Sequence, residues 1–232
     1  MIIASTSTVY GGAPLDYLLD ELKKLFKNAN DILFIPYARP GGISHDDYTE
    51  KVNKAFHKIG KTAIGIHTFK DLQKAVENAS GIFTGGGNTF VLIEQLYRHH
   101  LIGTLKMEIN NGIPYLGTSA GSNICGLTIK TTNDMPIVYP PSFQALGLVP
   151  FNINPHYLDP NLNSKHMGET RETRIREFHY YNTNPVVGLR EGSWLEVNGR
   201  EIVLKGTLEA RIFEYDKTPY EVPPNTILSD LN

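Results

Sequence analysis

The stretch "GIFTGGGNTFVLIEQLYRHH", residues 81–100, changes periodicity across three consecutive glycines. Residues 81–86 form a short apolar run, which predicts a strand buried on both faces, as in a parallel sheet. From Asn88 onward the apolar residues follow a helical stripe, with the asparagine suited to cap its start. Strand, tight turn and helix make one βα unit, and similar units lie on either side. "DILFIPY" (31–37), "TAIGIHTF" (62–69) and "IPYLGTS" (113–119) are comparable apolar runs.

Helical stretches separate these runs. "PLDYLLDELKKLFKNA" sets Leu15, Leu18, Leu19, Leu22 and Leu25 on one stripe, with Pro14 suited to a first helical turn. "SHDDYTEKVNKAFHKIG" predicts a helix capped by Ser44 and stopped by Gly60, and "FKDLQKAVENA" follows the same logic. The alternation predicts an α/β fold: a doubly wound, mostly parallel sheet with helices on both faces. Beyond residue 126 the pattern loosens. Residues 131–165 are rich in Asn, Pro and Tyr and show no clear helix, and so long a connection is expected to be functional or poorly ordered. "GETRETRIREFHYY" predicts a further helix. "VVGLREGSWLEVNGREIVLKGTLEARIFEY" reads as antiparallel edge strands. Without a repeat or linker, residues 1–232 are expected to form a single domain.

Composition narrows the partners. The chain has 232 residues, 41% hydrophobic and 20% charged, with 22 basic against 24 acidic side chains and a net charge of −2. Such balance gives no electrostatic reason to expect nucleic acid or an anionic membrane. The single cysteine forbids an internal disulfide, and neither a signal peptide nor a membrane-spanning run is evident. The expectation is a cytoplasmic protein, monomer or homodimer, acting on a small molecule.

"IPYLGTSAG" carries the chemistry. Gly117-x-Ser119-x-Gly121 directly follows an apolar strand, and the residues after it can start a helix. Strand, turn and helix are the context of a nucleophile elbow, which lifts a hydroxyl above the sheet edge. Ser119 is therefore the candidate nucleophile, with the Ala120 amide and the helix start facing the developing oxyanion. Cys125 reads as a small buried hydrophobe on the second turn of that helix. Gly85, Gly86 and Gly87 could bring a second amide to the same site. The rival readings are a plain βα turn or a phosphate loop; the latter lacks both G-K-[ST] and G-x-G-x-x-G.

A serine needs a base. Among eight histidines, His156 in "NINPHYLDP" stands out, because Asn154 and Pro155 impose an extended approach within the long irregular region. His99 and His100 end a helix, and His45, His57, His67, His166 and His179 have no distinctive setting. No pair has metal-ligand spacing, so no metal or other cofactor is expected. For the carboxylate that would hold the imidazole, two candidates stay open: Glu191, after "VVGLR", and Asp134, in "TTNDMPIV".

With these residues gathered, the chain resembles the serine peptidase family that contains peptidase E, the aspartyl dipeptidase, and cyanophycinase. The shared blocks are "DDYT" (46–49), "GGGNTF" (85–90), "SAG" (119–121), "TTNDMPIV" (131–138), "INPH" (153–156), "GETRE.RIRE" (168–177) and "GL.EG.W" (188–194). The resemblance implies a class I glutamine-amidotransferase-like, flavodoxin-like α/β fold with serine where those relatives carry cysteine. It implies Ser119 as nucleophile, His156 as base, Glu191 or Asp134 as the acid, and Gly87 and Ala120 as oxyanion donors. It also implies Arg171 as the cation that grasps the β-carboxylate of an N-terminal aspartate; unaided, that arginine reads as part of a solvated Glu/Arg helix face. The expected partners are small peptides with N-terminal Asp. One departure is Thr118, where peptidase E typically carries tryptophan and cyanophycinase-like proteins often threonine. It leaves open an exopeptidase acting on β-aspartyl-arginine polymers. A non-catalytic protein that binds acidic amino acids on the same fold is the other alternative.

Overall fold

A computed structural model describes residues 1–160, 163, 165 and 167–231. The chain runs β1 (Ile2–Ala4), α1 (Leu19–Leu25), β2 (Asp31–Ile35), α2 (His45–Phe56), β3 (Thr62–Gly65), α3 (Leu72–Glu77) and β4 (Ile82–Thr84). Next come α4 (Thr89–Arg98), α5 (Leu101–Asn110), β5 (Tyr115–Thr118), α6 (Ala120–Asn123), β6 (Asn152–Pro155) and α7 (Arg171–Phe178). The strands β7 (Val186–Leu189), β8 (Trp194–Asn198), β9 (Glu201–Lys205), β10 (Ala210–Phe213) and β11 (Tyr220–Val222) complete it.

Seven strands form the main sheet in the order β3-β2-β4-β5-β1-β8-β9. The first five are parallel, and β8 pairs antiparallel with β1. Alternate side chains feed two separate cores, as a sheet covered on both faces requires. Ile3, Leu33, Ile35, Ile82 and Tyr115 pack with residues of α3, α4 and α5. Ile2, Ile32, Phe34, Phe83 and Leu116 face the other way, against α1 and α2. The fold is the doubly wound α/β arrangement expected.

Local signals explain several boundaries. Ser44 accepts a hydrogen bond from the Asp47 amide at the start of α2, and Gly60 (φ 70°) ends the 3-10 turn that follows it. Asn88 caps α4 by accepting from the Val91 amide. The first helix is shorter than its leucine stripe suggests. Leu15 takes φ 64° and its amide binds the Ser7 carbonyl, so a 3-10 turn over Asp16–Leu18 precedes α1. Leu15, Leu18 and Leu22 are nevertheless all buried.

The C-terminal strands divide between two sheets. Only β8 and β9 form the antiparallel edge of the main sheet; β7, β10 and β11 join β6 in a second sheet ordered β11-β10-β7-β6. In that sheet β6 and β7 run parallel. Ile153, Val187, Leu189 and Ile212 bury its inner face in the same core as α4 and α5. The loose region after residue 126 thus holds a strand whose asparagines are buried and hydrogen-bonded. Asn152 and Thr128 exchange two bonds, and the Asn154 side-chain amide donates to the Thr131 carbonyl.

Candidate active site

Ser119 follows the carboxyl end of β5 with φ 55° and ψ −112°, a conformation costly for a residue with a Cβ. The residues two positions away on either side, Gly117 and Gly121, must be glycine because the turn is packed against backbone. A Cβ on Gly117 would lie 2.5 Å from the Gly121 carbonyl oxygen, and one on Gly121 would lie 2.2 Å from that of Thr84. The turn is further held by Ser122, whose hydroxyl lies 2.6 Å from the Ala4 carbonyl oxygen and 2.8 Å from that of Gly117. The helix after the turn is a single turn, α6. Cys125 lies beyond its end rather than on a second turn. It is fully buried, with its thiol pushed up to about 12 by burial and donating to the Gly121 carbonyl.

His156 and Glu191 reach Ser119 from the second sheet. His156 follows β6, and Glu191 lies two residues past β7, the parallel neighbour of β6. His156 Nε2 lies 2.8 Å from Ser119 Oγ, and Nδ1 lies 2.6 Å from Glu191 Oε1. His156 itself has φ 54°. Ser5, just past β1, holds both loops: it accepts from the His156 amide (2.9 Å) and donates to the Leu189 carbonyl (2.7 Å). The side chain of Glu191 is half exposed, at 51%. Tyr17 stands near it. Burial and the Glu191 charge both raise the Tyr17 pKa, while its hydroxyl donates to the Thr6 carbonyl.

The glycine loop after β4 closes the site on the other side. A Cβ on Gly86 would lie 2.8 Å from the Cβ of Ser119. Gly87 has φ 146°, and a Cβ there would lie 2.2 Å from the Ala38 carbonyl oxygen. The amides of Gly87 and Ala120 bind no carbonyl among the described residues. Both loops open at the carboxyl edge of the parallel strands, where ligands bind in such sheets.

Asp134 is engaged elsewhere. Its carboxylate accepts from the Thr89 amide (2.7 Å) and the Thr132 hydroxyl (3.1 Å) at the start of α4, where negative charge is favoured. Of the two carboxylates considered, Glu191 is the one on the imidazole. Asp134 instead anchors the 131–135 loop, along with Asn88, which donates to the Met135 carbonyl. The same loop is tied to β6, because Asn133 donates to the Pro155 carbonyl beside His156.

Arg171 opens α7, whose start is capped by Thr170. Burial and Arg174 lower its pKa, Asp134 opposes them, and it makes no hydrogen bond or ion pair among the described residues. Its neighbour Glu172 pairs with Arg176 within the helix (2.7 Å) and ties the helix to Arg211 on β10 (2.8 Å). Thr118 is fully buried, and its hydroxyl has no hydrogen-bond partner among the described residues. His166 lies outside the described residues. Ser5 was not signalled by any motif and only the fold brings it to this edge, whereas Tyr48 and Asn133 lie inside the blocks "DDYT" and "TTNDMPIV" without being singled out there.

The chain is similar to several known proteins. A model of Peptidase family S51 matches residues 1–205. The chain is 45% identical over 234 residues to a Drosophila melanogaster protein named "Probable alpha-aspartyl dipeptidase", covering 100% of this chain and 95% of that one. It is also 45% identical over 231 residues to "Peptidase E" of Streptomyces coelicolor, covering 100% and 94% respectively. Among solved structures, a peptidase from an acI-B1 Actinobacterium superposes with a TM-score of 0.70 at 15% identity, covering 96% of this chain and 94% of that one.

Proposed function

Because the chain belongs to peptidase family S51 and is a serine peptidase, we propose that it is a cytoplasmic dipeptidase selective for an N-terminal aspartate. The observation that carries the reading is the hydrogen-bonded chain from Glu191 through His156 to Ser119. Glu191 accepts from Nδ1–H of His156, which leaves Nε2 to accept the Ser119 proton. The hydroxyl attacks the aspartyl carbonyl carbon, and the amides of Gly87 and Ala120 receive the oxyanion. The imidazolium then protonates the leaving amine, and the acyl-enzyme forms as the C–N bond breaks. Water attacks the ester with His156 as base again, and aspartate leaves.

Arg171 is the cation for the β-carboxylate. It has no carboxylate partner of its own, and guanidinium binds carboxylate in a bidentate manner that lysine cannot match. Release from dipeptides with Asp, Asn, Glu or β-Asp first, each followed by Leu, tests the proposal. The wild type is expected to cleave Asp-Leu best, Ser119→Ala to lose several orders of magnitude, and Arg171→Ala to lose the preference for Asp over Asn. Faster cleavage of the β-Asp compound, or full activity in Ser119→Ala, would overturn it.

A further inference from the structure

The block "DDYT", residues 46–49, contributes nothing to the triad. Three of its members serve α2 and its surroundings. Asp46 pairs with His67 at 2.9 Å, the Asp47 amide donates to Ser44 at the helix cap, and the Thr49 hydroxyl donates back to the His45 carbonyl. Tyr48 alone reaches the glycine loop, where its hydroxyl donates to the Gly86 carbonyl at 3.1 Å.

That carbonyl and the Gly87 N–H belong to one planar peptide group, and in a trans peptide the two point in opposite directions. Whatever fixes the carbonyl therefore aims the amide. The loop is bonded to backbone on either side: Gly85 donates to the Ile35 carbonyl at 3.2 Å, and Asn88 to that of Ala38 at 2.7 Å. Between those bonds, Gly86 is buried, and its carbonyl accepts from no donor but Tyr48 among the described residues. Neither glycine has a Cβ, so little in the backbone itself opposes rotation of the peptide between them.

Tyr48 is itself held in place. The rings of Phe34 and Tyr48 stand nearly perpendicular, at 88° with centroids 4.9 Å apart, and the Arg39 guanidinium lies over the tyrosine. Gly85 leaves room for the hydroxyl, since a Cβ there would lie 2.5 Å from it. Burial raises the Tyr48 pKa, against the opposing effects of Arg39 and of the bond to Gly86, so the phenol keeps its proton and donates.

We propose that Tyr48 is a positioning residue whose hydroxyl pins the Gly86–Gly87 peptide, keeping the Gly87 amide aimed at the oxyanion. It acts through Gly87 and not on the reacting atoms. This role rests on the serine peptidase mechanism, in which Gly87 is an oxyanion donor. Without the hydroxyl, the Gly86 carbonyl turns to find another donor, and the amide turns away with it.

Tyr48→Phe removes the hydroxyl and keeps the ring. On Asp-Leu, kcat is expected to fall about 10- to 100-fold, the range of one buried acceptor left unpaired, with KM within about twofold. Fluorophosphonate labelling of Ser119, whose adduct also sets an oxygen at the Gly87 amide, should slow by a similar factor. Binding of an Asp-Leu analogue with the scissile carbonyl reduced to methylene should not change, because it offers no oxygen to that amide. In a Gly87→Ala background the same substitution should add little, because the donor it aims is already lost. A loss carried by KM, weaker binding of the reduced analogue, or full additivity with Gly87→Ala would mark a merely structural role and overturn the pin. Unchanged kcat and labelling would overturn it while leaving the mechanism intact. If wild type takes the label but leaves Asp-Leu uncut, the aspartyl reading fails and the labelling rates still decide the pin. If it does neither, the mechanism fails and the pin with it.

Discussion

At the scale of single residues, the unusual feature is an acid left half in water. A buried carboxylate behind a catalytic imidazole can contribute about 10⁴-fold to turnover. Glu191 is half exposed, so its field is partly screened. Labelling of Ser119 by a fluorophosphonate reports the nucleophile without requiring an aspartyl group. Glu191→Gln is expected to slow it only about 10- to 100-fold, whereas Asp134→Ala should leave it within about threefold. A larger effect of Asp134 than of Glu191 would reverse the assignment of the acid. The residues joined here were legible because Ser119 and Glu191 follow strands, where a carboxyl-edge site collects its side chains. A motif does not record which atoms its residues touch, so sequence alone left Glu191 open beside Asp134. The Asp134 oxygens serve an amide of α4.

At the scale of elements, two glycines separate conformational need from mere tolerance. Gly87 combines φ 146° with contact against the Ala38 carbonyl, whereas Gly103, in α5, has open space where a Cβ would sit. Gly87→Ala should displace the loop after β4 and lower kcat about 10²- to 10³-fold, the cost of losing one oxyanion donor. Gly103→Ala should keep activity and gain up to about 1 kcal/mol in thermal unfolding. The βα units were legible since each strand is an unbroken apolar run and each of α2 and α4 has a capping side chain. β1 was not, because it lacks the immediately following glycine turn and helical stripe that mark β4, which is equally short. β6 was hidden for a different reason: its "NINP" sequence buries amides whose partners, Thr128 and Thr131, are more than twenty residues away. Alternation alone also could not say that β8 and β9 belong to one sheet and β7 and β10 to another.

At the scale of the whole molecule, ion pairs fasten the second sheet and thereby the segments that carry His156 and Glu191. Glu221, on β11, takes Arg190 at 2.9 Å and Arg211 at 3.0 Å, and Arg211 continues to Glu172 on α7. The hydrogen bond from Arg190 holds the Glu221 carboxyl below its ordinary pKa, against the opposing effect of burial. A lowered folded pKa means stability that is present above the unfolded value of about 4.3 and is lost as pH falls through the folded one. Glu221→Gln should cost about 2 kcal/mol at pH 7, some 4–8 °C in Tm. The variant and wild type should converge as pH drops below 4, and a constant gap across that window would contradict the linkage.

The position of β1 has a consequence for biosynthesis. Ile2–Ala4 lies inside the main sheet, hydrogen-bonded to β5 around Leu116 and to β8 around Leu195. On the ribosome these residues wait for partners translated much later, so the serine turn, which leans on Ala4, cannot be locked until β5 and α6 have emerged, and β1 stays unpaired on its other side until β8 follows. Nascent chains stalled before β8 should be protease-sensitive and inert, however complete their βα units.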